Sequence, residues 1–549
     1  MGIGVLEDRH MTRPPGTSKL GEEEGPAFDT ASTSDLKKDG DIILVPQPSD
    51  SPNDPLNVSI IDLQHLSLKW LRTNEEMQWS MVQKNSIMLI LAFSSGVTTS
   101  LGPMISPGLV IISKQYNASP DMVSTFMVGS ILLFTGAVTF FTASGANIWG
   151  KRPFFVISTL LLLISNIWGT FADSFPSLAA MRIFQGIASA PLETLVTSTV
   201  SDLFFVHQRG LRLSLWGVML GTGVLLGQII SGYIIEAMGI TGTFAISALI
   251  FCLILPLMYF IIVETTYTKP RNTKFDEKRP GSRASSIGSM DLKGDDPLSE
   301  PKESYKSQLR IFRGRLSDDA FWKGVVKPFP LICFPAVIFS TLVYASFFCW
   351  LLMIGVLSVN IFSAPPYNLT PAQVGLTNIP LALATLIFSP LSGWMADAIP
   401  VWMAKRNGGV FEPEFRLVLM LIAIPFSTVG FIGFGIASSK GLSLTWCLVW
   451  ITMHSIAVPF ASQASISYVI DCHTKDANQA FVTINFVKAL LSFVASTIGN
   501  GLLAKFGPQT LFIGIAMLNL GISLLTIPSY IYGKRLRSWV ARSEWAKKI

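Results

Sequence analysis

From residue 86 onward, long apolar blocks alternate with short polar breaks. Each block runs to about 20 residues or more, enough for a helix to cross a hydrocarbon core about 30 Å thick. In that core every backbone polar group must be satisfied within a helix or a closed barrel. The period-two alternation of barrel strands is absent. The pattern predicts helices near 86–112, 122–145, 153–172, 178–203, 212–235, 242–263, 331–357, 372–395, 417–437, 443–469, 480–503 and 509–532. That is twelve spans, six on each side of a polar insert. The expected fold class is all-α and integral to the membrane: a tail at 1–84, a six-helix bundle at 85–264, a central loop at 265–327, a second bundle at 328–533 and a basic tail at 534–549.

Composition agrees with this reading. Of 549 residues, half are hydrophobic and only 14% charged, and mean hydropathy is +0.49; soluble domains carry about 25% charge. Of 35 acidic residues, 14 precede Lys84 and 10 lie between Glu264 and Trp322, leaving 11 for everything else. Basic residues set the orientation. Lys151, Arg152, Arg209, Arg212, Lys405, Arg406, Arg416 and Lys475 fall in breaks on one side, with a C-terminal tail holding Lys534, Arg535, Arg537, Arg542, Lys547 and Lys548. The other side has Lys114, Lys440 and Lys505. Both termini are therefore expected in the cytosol. Residues 1–84 begin with no apolar stretch that reads as a cleaved signal, so the first span is expected to direct insertion.

Three glycosylation sequons, at Asn57, Asn117 and Asn368, give a clue independent of charge. Asn117 and Asn368 fall in loops expected outside; Asn57 falls in the cytosolic tail and should stay bare. The tail is rich in Pro, Ser and acid, a composition of disorder. In the insert, Arg stands three before both Ser282 and Ser286, which suits a basophilic kinase, although a solvated linker explains the same run.

Chemistry in the loops is sparse. Gly145 to Lys151 fits a phosphate-binding loop until Arg152 stands where a hydroxyl is needed, and it follows a span rather than a strand. The five cysteines are scattered without metal or redox spacing. No nucleophile–base constellation is present, so no enzyme, cofactor or metal is expected, and nucleic acid is not indicated. The expected partners are a small-molecule substrate, protons and the bilayer, with the chain acting as a monomer.

Charge inside a span costs about 2.5–3.5 kcal/mol on insertion scales, so each case asks for a reason. Among the eleven leftover acids only Glu193 lies well within a span; the buried bases are Arg182 and Lys488, and His454 is a further titratable group. Arg182 and Glu193 are eleven apart on the fourth span, almost three turns and about 16 Å along the axis. They are expected to line one cavity at two depths, with pairing to neighbouring helices as the alternative. A carboxyl taken out of water favours its neutral form; on that ground Glu193 is the expected proton- or cation-coupling acid. Lys488, near Asn485, either faces substrate or snorkels to the interface. Tyr344, Phe348 and Trp350 of the seventh span suit a flat ligand or ordinary packing. The glycines of the fifth span suit close helix packing or a flexible gate.

The halves echo each other. Gly145-Ala-Asn147-Ile-Trp-Gly150-Lys151-Arg152 ends the second span, and Gly393 to Asp397, followed by Lys405-Arg406, ends the eighth. The fourth and tenth spans finish in Asp202 and Asp471. Such repeats suit two bundles rocking about a central cavity. These residues resemble the major facilitator superfamily, and within it the fungal twelve-span drug:proton antiporter group. Gly145 to Arg152 is similar to that family's gating-loop motif, with Asn147 at the usual Asp and Ile148 at the usual basic position. Arg182-Ile-Phe-Gln-Gly186 resembles its fourth-span motif, whose Arg is implicated in proton coupling. Gly223 to Gly232 resembles its fifth-span antiporter motif, with Gln228 at the usual Pro. Asp54-Pro-Leu-Asn57, Glu264-Thr-Thr-Tyr267, Arg406 to Arg416 and Tyr468-Val-Ile-Asp471 resemble the fungal branch containing the yeast histidinol and polyamine carrier and exporters of secondary metabolites. The resemblance implies a plasma-membrane secondary transporter, proton-coupled and exporting a small organic metabolite, toxin or drug. The alternatives are an importer of organic cations or polyamines and a non-transporting nutrient receptor.

Overall fold

The structure is a computed structural model; it describes residues 3–8, 10, 11, 14–19, 38, 39, 42, 43, 54–56, 79, 81–266, 305–318, 320–473 and 477–544. The Asn57 sequon and the Ser282 and Ser286 sites lie outside the described residues, as do most of the tail and the central loop.

The helices are α1 (Met81–Ser100), α2 (Ser130–Trp149), α3 (Arg152–Thr170), α4 (Phe175–Leu203), α5 (Val206–Ile261), α6 (Pro335–Ser363), α7 (Ile379–Arg406), α8 (Met420–Ser439), α9 (Leu444–Cys472), α10 (Ala477–Leu524) and α11 (Thr526–Arg542). Two of them are interrupted. Gly239 in α5 and Gly507 in α10 take φ of +75° and +73°, a region glycine enters without steric cost, so each long helix is two rods meeting at a corner. Past α1 the chain turns through Pro103–Gly108, where Pro103 and Pro107 tighten the path; a proline removes a helix hydrogen bond and clashes with the preceding turn. Ser174 Oγ caps α4 by accepting from the Ser177 N–H, as N-terminal serines do.

Among the described residues, nine helical stretches are long and apolar enough to cross a membrane. α4 is not one of them, since it carries Arg182, Gln185, Glu193 and a series of hydroxyls. Helices up to Ile261 share one hydrophobic core. Later helices build others, around Phe431, Phe434 and Phe512 and around Phe339, Phe347 and Phe460. Within the first group α2 packs on α4 and α1 on α5; within the second α6 packs on α10 and α8 on α9. The groups meet where α10 lies on α2 and α5 on α7.

Small residues let these helices approach. A Cβ on Gly223 would collide with the Gly96 carbonyl of α1, and one on Gly227 with Ser100. Between the groups, a Cβ on Gly136 would collide with Ala489, and one on Gly232 with the Pro371 carbonyl. The fifth-span glycines therefore serve close packing, although Gly217 has nothing within 4 Å. That contrast gives a test: Gly223→Ala should lower stability by about 1–3 kcal/mol through overpacking. Gly217→Ala, exposed on the same helix, should leave it unchanged or raise it by ~0.5–1 kcal/mol through lower backbone entropy. Melting of the two variants in detergent reads the difference.

Candidate functional site

At the seam between α2, α4 and α10 lies a small cavity lined by Leu132, Thr135, Gly136, Thr139, Glu193, Asn485, Lys488, Ala489 and Ser492. Glu193 comes from the first helix group and Lys488 from the second. Their charged atoms stand 4.0 Å apart, with 20% and 10% of each side chain exposed. The Lys488 ammonium also sits 4.5 Å from the Phe348 ring centre and 5.9 Å from that of Tyr344, and the two rings stack on each other. Ring faces attract a cation through their quadrupole, so the two rings and the carboxylate all favour the ammonium at this place. Beside it, Asn485 Nδ2 donates to the Phe481 carbonyl, and Ser492 Oγ has no hydrogen-bond partner among the described residues. The cavity is thus lined by one acid, one base, hydroxyls and an amide.

The other expected site residues lie elsewhere. Arg182 is fully buried and turned into the first group. Its Nη1 donates to the Leu101 carbonyl at 2.7 Å and to Gln185 Oε1 at 2.9 Å, and its guanidinium lies over Phe244. Its Nε and Nη2 lack partners among the described residues. Arg182 therefore does not line the small cavity that holds Glu193. His454 is buried in the second group with both ring nitrogens engaged. Asn519 donates to Ser427 Oγ, Ser427 lies 2.9 Å from Nδ1, and Nε2 lies 3.2 Å from the Phe347 carbonyl. A carbonyl only accepts, so Nε2 carries the proton and Nδ1 accepts from Ser427. Gln228 sits where α5 meets α7, with Asn378 Nδ2 3.5 Å from its Oε1.

The N-terminal residues from Ile3 and helix α11 lie together at one end of the molecule, the termini end. At the opposite end the groups are joined directly. Ser124 Oγ donates to the Ser496 carbonyl, Asn500 Nδ2 donates to Ser124 Oγ, Asp121 accepts from the Gly501 N–H, and Glu236 accepts from the Ala372 N–H. Asn117 and Asn368 are exposed there, at φ of +50° and +49°.

At the termini end the ion pairs among the described residues form within each group. Lys151 Nζ pairs with Asp202 at 2.5 Å, and the Lys151 and Arg152 N–H groups donate to the Glu264 carboxylate. Gly150, at φ +87°, lies against Glu264 so closely that a Cβ would collide with it. Arg152 also reaches the Tyr259 carbonyl. Gly145 packs against the Phe154 ring, and Asn147 is exposed. In the second group Arg416 joins Asp471 and Asp397, Arg537 joins Glu412 and Glu414, and Arg406 stacks on Trp402. Sequence reasoning placed the Gly150 and Arg416 loops at turns. It missed the Glu193–Lys488 contact, the aromatic support of Lys488 and the burial of Arg537. The first could be sought only by pairing the lone span acid with the lone span base of the other half.

A charged, polar cavity at the seam of two apolar helix groups belongs to a multi-pass membrane transporter. The chain belongs to the Major Facilitator Superfamily: that family's model matches residues 87–496. It is a secondary transporter and not an enzyme. Protein HOL1 of Saccharomyces cerevisiae is 24% identical, over 97% of this chain and 97% of that one. A probable efflux pump, mfs2 of Aspergillus flavus, is 22% identical over 77% of this chain and 95% of its own. Among solved structures, the proton:xylose symporter XylE superposes with TM-score 0.57 at 15% identity, over 84% of this chain and all of XylE; that likeness concerns the fold.

Proposed function

We propose that the protein is a proton-coupled exporter of a small organic metabolite, toxin or drug, working by alternating access in the fungal plasma membrane. On this reading the chain makes twelve spans in two six-helix bundles with both termini in the cytosol, and acts as a monomer. The observation that carries it is the Glu193–Lys488 contact, because a pair shared between the two helix groups changes whenever they move apart. While Glu193 is ionised, Lys488 holds it and the bundles stay locked at mid-depth. A proton on Glu193 removes the attraction, frees Lys488 and lets the bundles part. A substrate group that binds either member acts on the same lock. Any substrate or proton moves the equilibrium only by its differential affinity for the two states.

Import of organic cations or polyamines is the competing direction; it is set back by Lys488, whose ammonium repels a second cation at Glu193. Uptake and efflux of labelled metabolites, dyes and polyamines in cells with and without the protein separate the readings. Net accumulation inside would sink the exporter, and no flux of any compound would favour a receptor. A cheaper check bears on topology: Asn117→Gln should abolish an endoglycosidase-sensitive mobility shift, with Asn368→Gln removing any remainder. A shift that survives both changes contradicts the outward placement of these loops.

A further inference from the structure

Just ahead of α6 the chain makes a short element that leans on both helix groups. Phe321–Val326 and Pro328–Leu331 are helical, and Lys327 between them keeps helical backbone angles, so Phe321 to Leu331 runs on as about three turns. One face is covered by protein. Ser144 Oγ of α2 donates to the Phe321 carbonyl at 2.7 Å, the Phe321 ring lies 5.5 Å from that of Trp149, and a Cβ on Gly324 would collide with Ser144. Val325 is buried with Phe140 of α2 and Val482 of α10, and Thr483 Oγ1 of α10 donates to the Pro328 carbonyl at 2.7 Å.

The other face is apolar and exposed. Trp322, Val326 and Phe329 stand at i, i+4 and i+7, a single stripe on a helix, and are 68%, 55% and 47% exposed. Trp322 meets Phe141 edge-on at 6.4 Å, and Phe141 is itself exposed on the membrane-crossing stretch Pro120–Trp149. Soon after Ile332, also exposed, the next crossing stretch begins at Pro335. The stripe therefore continues the lipid-facing side of the spans at the level where they end.

Charge accompanies the stripe. Lys323 is exposed and Lys327 half-buried, each one residue along from a member of it. Residues 310–332 hold five basic side chains against two acids. The loop ahead of the element is fastened at the same end: the Leu316 N–H donates to the Ile148 carbonyl at 2.7 Å, and Arg152 Nη1 donates to the Gln308 and Arg310 carbonyls. Arg310, Phe312 and Arg315 are left exposed. An apolar stripe flanked by cations suits the boundary between headgroups and acyl chains, where lysine stems lie along apolar surface and the ammonium reaches out of it.

We propose that Phe321–Leu331 is a membrane-surface element that binds anionic phospholipid headgroups. Trp322, Val326 and Phe329 enter the acyl boundary, while Lys323 and Lys327, with Arg310 and Arg315 nearby, hold the headgroup charge. A zwitterionic lipid offers the same phosphate with its charge cancelled, so preference for net negative lipid is the signature. Each cation near the surface contributes about fivefold to that preference.

The test uses the full chain in detergent with an equal mixture of phosphatidylserine and phosphatidylcholine, and native mass spectrometry counts the lipids retained. The parent should favour phosphatidylserine by about tenfold, and Lys323→Gln/Lys327→Gln should lower the preference at least about fivefold. Lys323→Arg/Lys327→Arg should keep it. So should Lys440→Gln, at the opposite end beside Gly441, which packs on Pro366. Equal retention of the two lipids by the parent overturns the proposal, as does a preference that survives in the glutamine pair or falls as far in Lys440→Gln. Placement is read separately in nanodiscs by a spin label at Val326→Cys, with the exposed Cys252 and Cys333 changed to Ser. The label should be reached by dissolved oxygen and shielded from a water-soluble relaxing agent; the reverse overturns the surface placement. Neither readout needs a transported compound, so failure here leaves the transport reading standing.

Discussion

Lys488→Met should lower transport at least about tenfold, and Glu193→Gln should do the same, a loss equivalent to about 1.4 kcal/mol or more in the transition state. The physical reason is the pairing. Lys488 is mostly buried beside one carboxylate and two rings, so removing either charge leaves the other without its main partner in a poorly solvated place. Breaking a buried pair from one side costs about 3–5 kcal/mol, whereas replacing both members by neutral groups is often close to neutral. The double variant Glu193→Gln/Lys488→Met should therefore regain the melting temperature lost by the single variants. It should not regain transport, because no titratable group remains in the lining of the seam cavity. Recovery of both would mean that the pair is only packing; a cycle of the four proteins separates the two roles.

Arg537→Ala should be the most destabilising single change at the termini end. Arg537 is 3% exposed and bridges Glu412 and Glu414, which are 1% and 0% exposed. Its removal leaves two buried carboxylates, with Lys534 reaching only Glu412, and the expected cost is about 3–5 kcal/mol. Arg537→Lys should recover part of this at most, since an ammonium lacks the planar fork that reaches two carboxylates. Glu414→Gln should cost less, because Arg537 keeps Glu412. Melting followed by tryptophan fluorescence, with exposed Lys440→Ala as the neutral reference, gives the order directly. Equal stability of Arg537→Ala and Lys440→Ala would contradict the burial described.

The class of fold was legible because the bilayer imposes long apolar helices and leaves few acids to place. The corners at Gly239 and Gly507 fall in the predicted breaks at 236–241 and 504–508. The site was legible only in part. Singling out Glu193 and Lys488 followed from the cost of charge in a span. Joining them did not, since helical periodicity says which residues share a face of one helix and nothing of what covers that face. Spacing on α4 put Arg182 and Glu193 on one side, yet α1 and the Phe244 helix cover the first while α2 and α10 meet the second. His454 looked titratable as a residue type; its partners Ser427 and Phe347, and Asn519 that donates to Ser427, come from three other helices. Arg537 and Lys534 counted as solvated positive charge in the tail, because the sequence gives no sign that Glu412, Glu414 and Glu7 fold over them.

The central claim is that a proton on Glu193 unlocks the two bundles for export. It is tested most directly in inside-out plasma-membrane vesicles with an acid interior, by comparing pH-driven accumulation of an exported compound between the parent and Glu193→Gln. The account predicts accumulation by the parent that collapses when the gradient is dissipated, and at least about a tenfold lower rate for Glu193→Gln at equal protein level. Undiminished pH-driven accumulation by Glu193→Gln would contradict it.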